Sequence, residues 1–188
     1  MLVSRSTEES HLYMHLHPCE CGEAEFDWRE HSLVQGDEHF LSVYSGDCQR
    51  CGRRRLFEFA LTPEPSPPPP ALGGPAPSSI IDPGEFLHVS QLFAGTVPAD
   101  PAELSDDEFH GAHDALAFAL ASTEEVLKFI PDGADAVPAG AFHSQLGRQL
   151  YTQSPEQFTR PRLLATTEAH RRLLADYQAG TTVDSPAG

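Results

Sequence analysis

At 188 residues and 39% hydrophobic content, the chain carries enough apolar side chain for one sizeable packed unit or two small ones. Its 28 acidic and 12 basic residues give a formal net charge of −16, which opposes nonspecific attraction to phosphate backbones and anionic membrane surfaces. The opening ten residues are polar, with Glu8 and Glu9 where a secretory signal needs an apolar run, and no later segment reaches transmembrane length, so a cytoplasmic protein is expected.

In chain order, the β-prone residues His11 to Leu16 predict a first strand ending at His17-Pro18-Cys19. The run Glu25-Phe26-Asp27-Trp28-Arg29-Glu30 alternates polar with aromatic and predicts a second strand, with Phe26 and Trp28 on one face. Gln35-Gly36-Asp37-Glu38 predicts a turn. Phe40, Leu41, Val43 and Tyr44 predict a third strand, and Arg55 to Leu61 a fourth. Residues 1–61 thus read as a small antiparallel sheet.

Residues 62–79, with four consecutive prolines at Pro67 to Pro70, read as an extended polyproline spacer. Beyond it the apolar period changes from two to about 3.6 residues, and residues 80–180 read as an acidic domain of about four helices. Asp82-Pro83-Gly84-Glu85 combines an N-cap, proline at N1 and an acid at N3, opening a helix to about Ala94 that turns Phe86, Val89, Leu92 and Phe93 inward. Ser105-Asp106-Asp107-Glu108 is a second capping box, followed by Phe109, Ala112, Leu116, Leu120, Val126, Leu127 and Ile130 at helical spacing up to Pro131. Two more helices are predicted at about 139–151 and 161–178, the last burying Leu163, Leu164, Leu173, Leu174 and Tyr177. Residues 181–188 read as a disordered tail, and the fold class is α+β.

All the cysteines fall in two short pairs, Cys19-Glu20-Cys21-Gly22 and Cys48-Gln49-Arg50-Cys51-Gly52. In a reducing compartment such pairs serve better as metal ligands than as disulfides, and four thiolates on two sharp turns form a tetrahedral cage for Zn2+. The second pair resembles the knuckle of the zinc-ribbon class, and the first is one residue shorter. That resemblance covers residues 11–61 and implies one zinc ion held by Cys19, Cys21, Cys48 and Cys51 from adjoining hairpins. Arg50, Arg53, Arg54 and Arg55 lie beside the second knuckle, where they offset the charge of a zinc tetrathiolate.

Three other groups carry potential chemistry. His17, two residues before Cys19, has the spacing to replace one sulfur, and on a strand His11, His15 and His17 would share its face. His110, His113 and Asp114 offer two imidazoles and a carboxylate, although a solvated helix face explains them as well. Arg53 to Arg55 with nearby aromatics would suit a nucleic-acid strand, which the acidic balance disfavours. The expected role is therefore a non-enzymatic zinc-binding interaction module, an adaptor, regulator or immunity-like neutraliser of a basic protein partner. A metal-dependent enzyme and a zinc-thiolate redox switch are the alternatives. Abundant Ala, Pro and Arg beside a single lysine, Lys128, match a high-GC bacterial genome.

Overall fold

The computed structural model describes residues 1–37, 39–98 and 104–180. The chain forms two compact units, Met1–Ile81 and Asp82–Gly188, and the fold class is α+β as expected. The tail expected at 181–188, and Glu38 of the expected turn, lie outside the described residues.

In the first unit, β1 (Leu2–Ser4) precedes α1 (Thr7–Leu16), followed by β2 (Glu30–Gln35), β3 (Phe40–Asp47) and β4 (Arg54–Leu61). The sheet order is β1-β4-β3-β2. Both β2–β3 and β3–β4 are antiparallel, whereas β1 pairs parallel to β4, with Leu2 opposite Phe59 and Ser4 opposite Leu61. The sheet is therefore mixed rather than wholly antiparallel.

Residues 11–16 form a helix, not the expected strand. Ser6 is its N-cap, with its side-chain oxygen accepting from Glu9 N–H at 2.9 Å, and Glu8 and Glu9 place negative charge in the first turn. Three residues from Ser6 to Glu9 is the spacing of a helix-start signal, and it overrides the weak β preference of the residues that follow. Leu12 and Met14 face inward, while Glu9, itself fully buried, holds Arg5 through a 2.6 Å ion pair and accepts from Arg5 N–H at 2.7 Å.

Residues 25–29 likewise run as a loop, and the second strand begins only at Glu30. The alternation in this stretch still has structural meaning, because Phe26 and Trp28 both turn onto the inner face of the sheet. Tyr44 sits there, with Trp28 at 5.4 Å, His31 stacked at 4.3 Å and Phe59 at 6.0 Å between ring centroids. The turn at Gly36 forms as expected, with Gly36 N–H donating to His39 O at 2.9 Å. The third and fourth strands also lie where β-prone residues placed them.

The Pro-rich stretch does not extend away as a spacer. Its Leu72 is fully buried, and Ser6 Oγ donates to Leu72 O at 2.7 Å. Arg5 donates to the Ala76 carbonyl, and Ser66 Oγ donates to Arg5 O at 3.2 Å. Prolines forbid a helix or an interior strand here but leave carbonyl oxygens free to accept, so side chains near α1 hold the segment within the first unit.

The second unit contains four α-helices among the described residues: α2 (Pro83–Thr96), α3 (Asp106–Leu127), α4 (Gln145–Gln153) and α5 (Arg160–Gly180). Both expected capping boxes are present. The helix expected from residue 139 is instead a 3-10 turn at Ala139–Ala141, a break, and then α4 capped by Ser144, whose Oγ accepts from Gly147 N–H at 2.8 Å. Phe86, Val89, Leu116, Val126, Phe158, Leu163 and Tyr177 are buried. Leu92 and Leu164, expected inside, are 58% and 50% exposed. α2 and α5 thus bury narrower stripes than their apolar sequence patterns offer, and Ser90 takes a buried place on α2 by bonding to Thr123 of α3 at 2.7 Å.

Candidate metal centre

The cysteines occupy two turns that the fold brings together. Cys19 and Cys21 lie in the loop after α1, and Cys48 and Cys51 lie in the β3–β4 turn. In the second knuckle, Gly52 N–H donates to Cys48 O at 2.8 Å, closing a turn four residues back. In the first, Gly22 N–H donates to Cys19 O at 2.7 Å, closing a turn three residues back. The missing residue is thus absorbed by a tighter turn. Gly22 and Gly52 adopt φ of +86° and +70°, the left-handed region that only glycine enters cheaply.

All four Sγ atoms lie within 4.8 Å of one another. Cys19 and Cys51 approach to 3.7 Å, and Cys21 and Cys48 to 3.6 Å. Tetrahedral zinc with Zn–S bonds of about 2.3 Å requires sulfurs about 3.8 Å apart, so the two closest pairs match an edge of that polyhedron. The four are free thiols, not disulfides, with Cys19 and Cys48 buried and Cys51 exposed. Four soft donors in this arrangement fit a thiophilic divalent cation, and these residues would hold it.

The second knuckle carries the electrostatics such a site needs. The Cys48 thiol is drawn down to about 6, first by the backbone N–H of Cys51, against the opposing effect of burial, with help from Arg50 N–H and the Cys21 and Cys19 thiols. Backbone N–H of Arg53 acts to lower Cys51, but the sulfurs of Cys21, Cys19 and Cys48, together with burial, outweigh it and push that thiol up to about 11. One thiolate therefore forms readily in the cage, whereas adding charge beside it is opposed. A bound divalent cation would remove that opposition and fix all four as thiolates.

The neighbouring arginines are largely engaged within the chain. Arg50 donates to Cys21 O at 3.2 Å, linking the second knuckle to the first. Arg53 pairs with Glu20, and Arg54 lies 3.8 Å from Glu30. Arg55 is buried, with its guanidinium 4.5 Å from the Phe26 ring centroid and 5.2 Å from that of Phe57. It donates to His17 O at 2.6 Å, Met14 O at 3.4 Å and Glu25 O at 3.5 Å, tying α1 and the loop to β4 directly behind the first knuckle. Only a branched, planar donor spans three carbonyls while stacking on rings. Replacing Arg55 with Ala is expected to cost about 3 kcal/mol in urea denaturation, and Arg55→Lys about half of that. A loss below about 1 kcal/mol in the Ala variant would count against this bracing role.

The histidines stand apart from the sulfurs. His17 Nδ1 bonds Tyr13 O at 2.8 Å and its ring stacks on Tyr13 at 3.8 Å, while His11 stacks on Trp28 at 4.7 Å. Because residues 11–16 are helical, the strand face proposed for His11, His15 and His17 does not exist. On α3, exposed His110 has Nδ1 bonded to Asp106 O at 2.6 Å, and half-buried His113 lies 3.3 Å from exposed Asp114. Among the described residues, the cysteine quartet is the group of potential metal donors that converges.

Comparison with protein-family models, with curated proteins and with solved structures finds no significant match. The cysteine centre therefore rests on its own geometry. Among the described residues, no helix is long and apolar enough to cross a membrane.

Proposed function

We propose that the chain is a zinc-stapled interaction protein, in which Cys19, Cys21, Cys48 and Cys51 hold one structural Zn2+ and the acidic surface engages a basic protein partner in the cytoplasm. The single observation that carries the first half is the convergence of four sulfurs from two glycine-closed turns at near-tetrahedral spacing. Four sulfur ligands fill a tetrahedral zinc and leave no position for a substrate water, which favours a staple over a catalytic ion. The net charge of −16 supports a cationic partner, and the intramolecular engagement of Arg53, Arg54 and Arg55 supports a protein over a nucleic acid. An adaptor and an immunity-like neutraliser share these requirements.

Affinity capture with the full-length protein from its native cell tests the partner half. The captured protein should be basic, and its affinity should fall about tenfold or more between 50 and 500 mM salt, roughly the range over which the Debye length shrinks to a few ångströms. Affinity independent of ionic strength, or a captured nucleic acid that survives nuclease-free washing as the direct ligand, would overturn it.

A further inference from the structure

The sheet of the first unit has one bare edge. At one side, β1 is only three residues long, and its Val3 carbonyl accepts from Ser79 Oγ at 3.4 Å, at the end of the Pro-rich stretch. At the other side, β2 is exposed at all six residues. Edge strands commonly carry lysine or proline, which discourage pairing with another chain. β2 has neither: it reads Glu30-His31-Ser32-Leu33-Val34-Gln35, with its one charge at the start, and leaves Leu33 60% and Val34 45% exposed.

The hairpin decides which backbone groups face outward. Gly36 N–H donates to His39 O at 2.9 Å, one step beyond the Gln35–Phe40 pair, and bonded pairs alternate with unbonded ones along an antiparallel ladder. Glu30, Ser32 and Val34 therefore turn their N–H and C=O groups toward β3. His31, Leu33 and Gln35 turn theirs away from it, and no group among the described residues takes them up.

We propose that β2 pairs with β2 of a second copy of this chain, antiparallel about a two-fold axis at Leu33, so that two sheets become one. The outward groups are self-complementary in that register. Leu33 bonds its own counterpart through both N–H and C=O, and His31 bonds Gln35 in the same way on either side, so every outward group is used. The exposed Leu33 side chains meet on the inner face, and each Val34 lies beside Ser32 on the outer face. Glu30 falls opposite Gly36, and the two Glu30 side chains stand about 20 Å apart, well beyond a Debye length of about 8 Å. Charge therefore does not oppose the seam. A second copy is favoured over a strand from a basic partner because β2 offers such a strand only Glu30, which already lies 3.8 Å from Arg54. The contact is roughly 20 Å long and one strand deep, at the low end of specific interfaces, so the dimer should dissociate in the micromolar range. Because β1 is short and engaged, assembly should stop at two copies. The pairing is independent of the proposed partner.

The test is sedimentation equilibrium of the full-length, zinc-loaded chain from about 1 to 500 µM, with amide hydrogen exchange followed on β2. A monomer–dimer equilibrium is expected, tightening as salt screens the −16 charge of each copy, whereas a basic partner is released by salt. The amides of His31, Leu33 and Gln35 should exchange more slowly as the dimer fills. Leu33→Pro deletes the central donor of each copy while leaving the β2–β3 ladder its bonds, and Leu33→Lys sets two ammonium groups side by side at the axis. Each should weaken the dimer about tenfold or more. Trp28 emission and the melting temperature check that each variant is folded, and Leu33→Lys, at an exposed position, carries the test if proline disrupts the strand. A monomer throughout the range, assembly beyond two copies, unchanged affinity in a folded variant, or unslowed β2 amides in the dimer would each overturn the proposal.

Discussion

Removal of the metal is expected to unfold the first unit and leave the second helical. The inner face of the four-stranded sheet is covered by one ten-residue helix and a loop, and β2 is exposed along its whole length. So small a unit buries limited apolar area, and the two cysteine turns hold the loop after α1 against the β3–β4 turn. Without a cation, four thiols occupy that place and the build-up of thiolate charge is opposed, as the raised Cys51 shows. The protein as purified should contain about one zinc per chain, with X-ray absorption reporting four sulfurs at about 2.3 Å. Cys48→Ser should reduce the zinc content to below about one tenth per chain. Trp28, the single tryptophan, lies in the first unit against His11 and Tyr44, so its emission reports on that unit alone. Chelation should shift Trp28 emission to the solvent-exposed range while far-ultraviolet dichroism retains most of its helical signal. Unchanged Trp28 emission and an unchanged melting temperature in the metal-free protein would show that the sheet needs no staple.

Replacing Asp82 or Gly147 is expected to be the most damaging change in the helical unit. Asp82 is completely buried, and its Oδ1 accepts from Gly84 N–H at 2.9 Å and Glu85 N–H at 3.0 Å, capping α2. Its Oδ2 accepts from His143 N–H at 3.0 Å and Ser144 N–H at 2.7 Å, the residues that lead into α4. One carboxylate thus fixes the starts of two helices. Asp82→Ala leaves four backbone donors without their acceptor and should cost roughly 3–5 kcal/mol. The helices also meet at two glycines. A Cβ on Gly84 would lie 2.4 Å from Gly147 Cα, and a Cβ on Gly147 would lie 2.3 Å from both Asp82 carboxylate oxygens. Gly147→Ala must therefore separate the helices or displace the carboxylate, at about 3 kcal/mol. The control is Gly111→Ala on α3, where an added Cβ meets nothing within 4 Å and helix propensity should return about 0.8 kcal/mol. Equilibrium urea unfolding measures all three, and a loss below about 1 kcal/mol for both Asp82→Ala and Gly147→Ala would refute the shared-cap account.

The two capping boxes show how far local sequence reaches. Asp82 with Glu85 and Ser105 with Glu108 each place cap and partner within one turn, so the start of α2 and of α3 follows from neighbouring residues. The same signal stood at Ser6 and Glu9, and it identifies α1 more reliably than the β preference of His11 to Leu16. Helix ends and buried stripes were less legible, because Leu92 and Leu164 repeat at helical spacing whether or not another helix covers them.

The sequence by itself determined the α+β class, the change of period after the Pro-rich stretch, the caps of α2 and α3 and the two cysteine turns, all of which depend on residues a few positions apart. It also supplied the donor types from which a thiophilic cation could be inferred. Tertiary structure decided what depends on residues far apart in the chain: the convergence of the four sulfurs, Asp82 serving two helices, Arg55 buried behind the knuckle, and β1 pairing parallel to β4. The physical reason is that capping and turn energies are local, whereas burial and the satisfaction of polar groups depend on which distant segment arrives beside them. His170 illustrates the difference, since nothing around it in the sequence distinguishes it from a solvated helix residue, and only the packed helices leave its nitrogen without a partner.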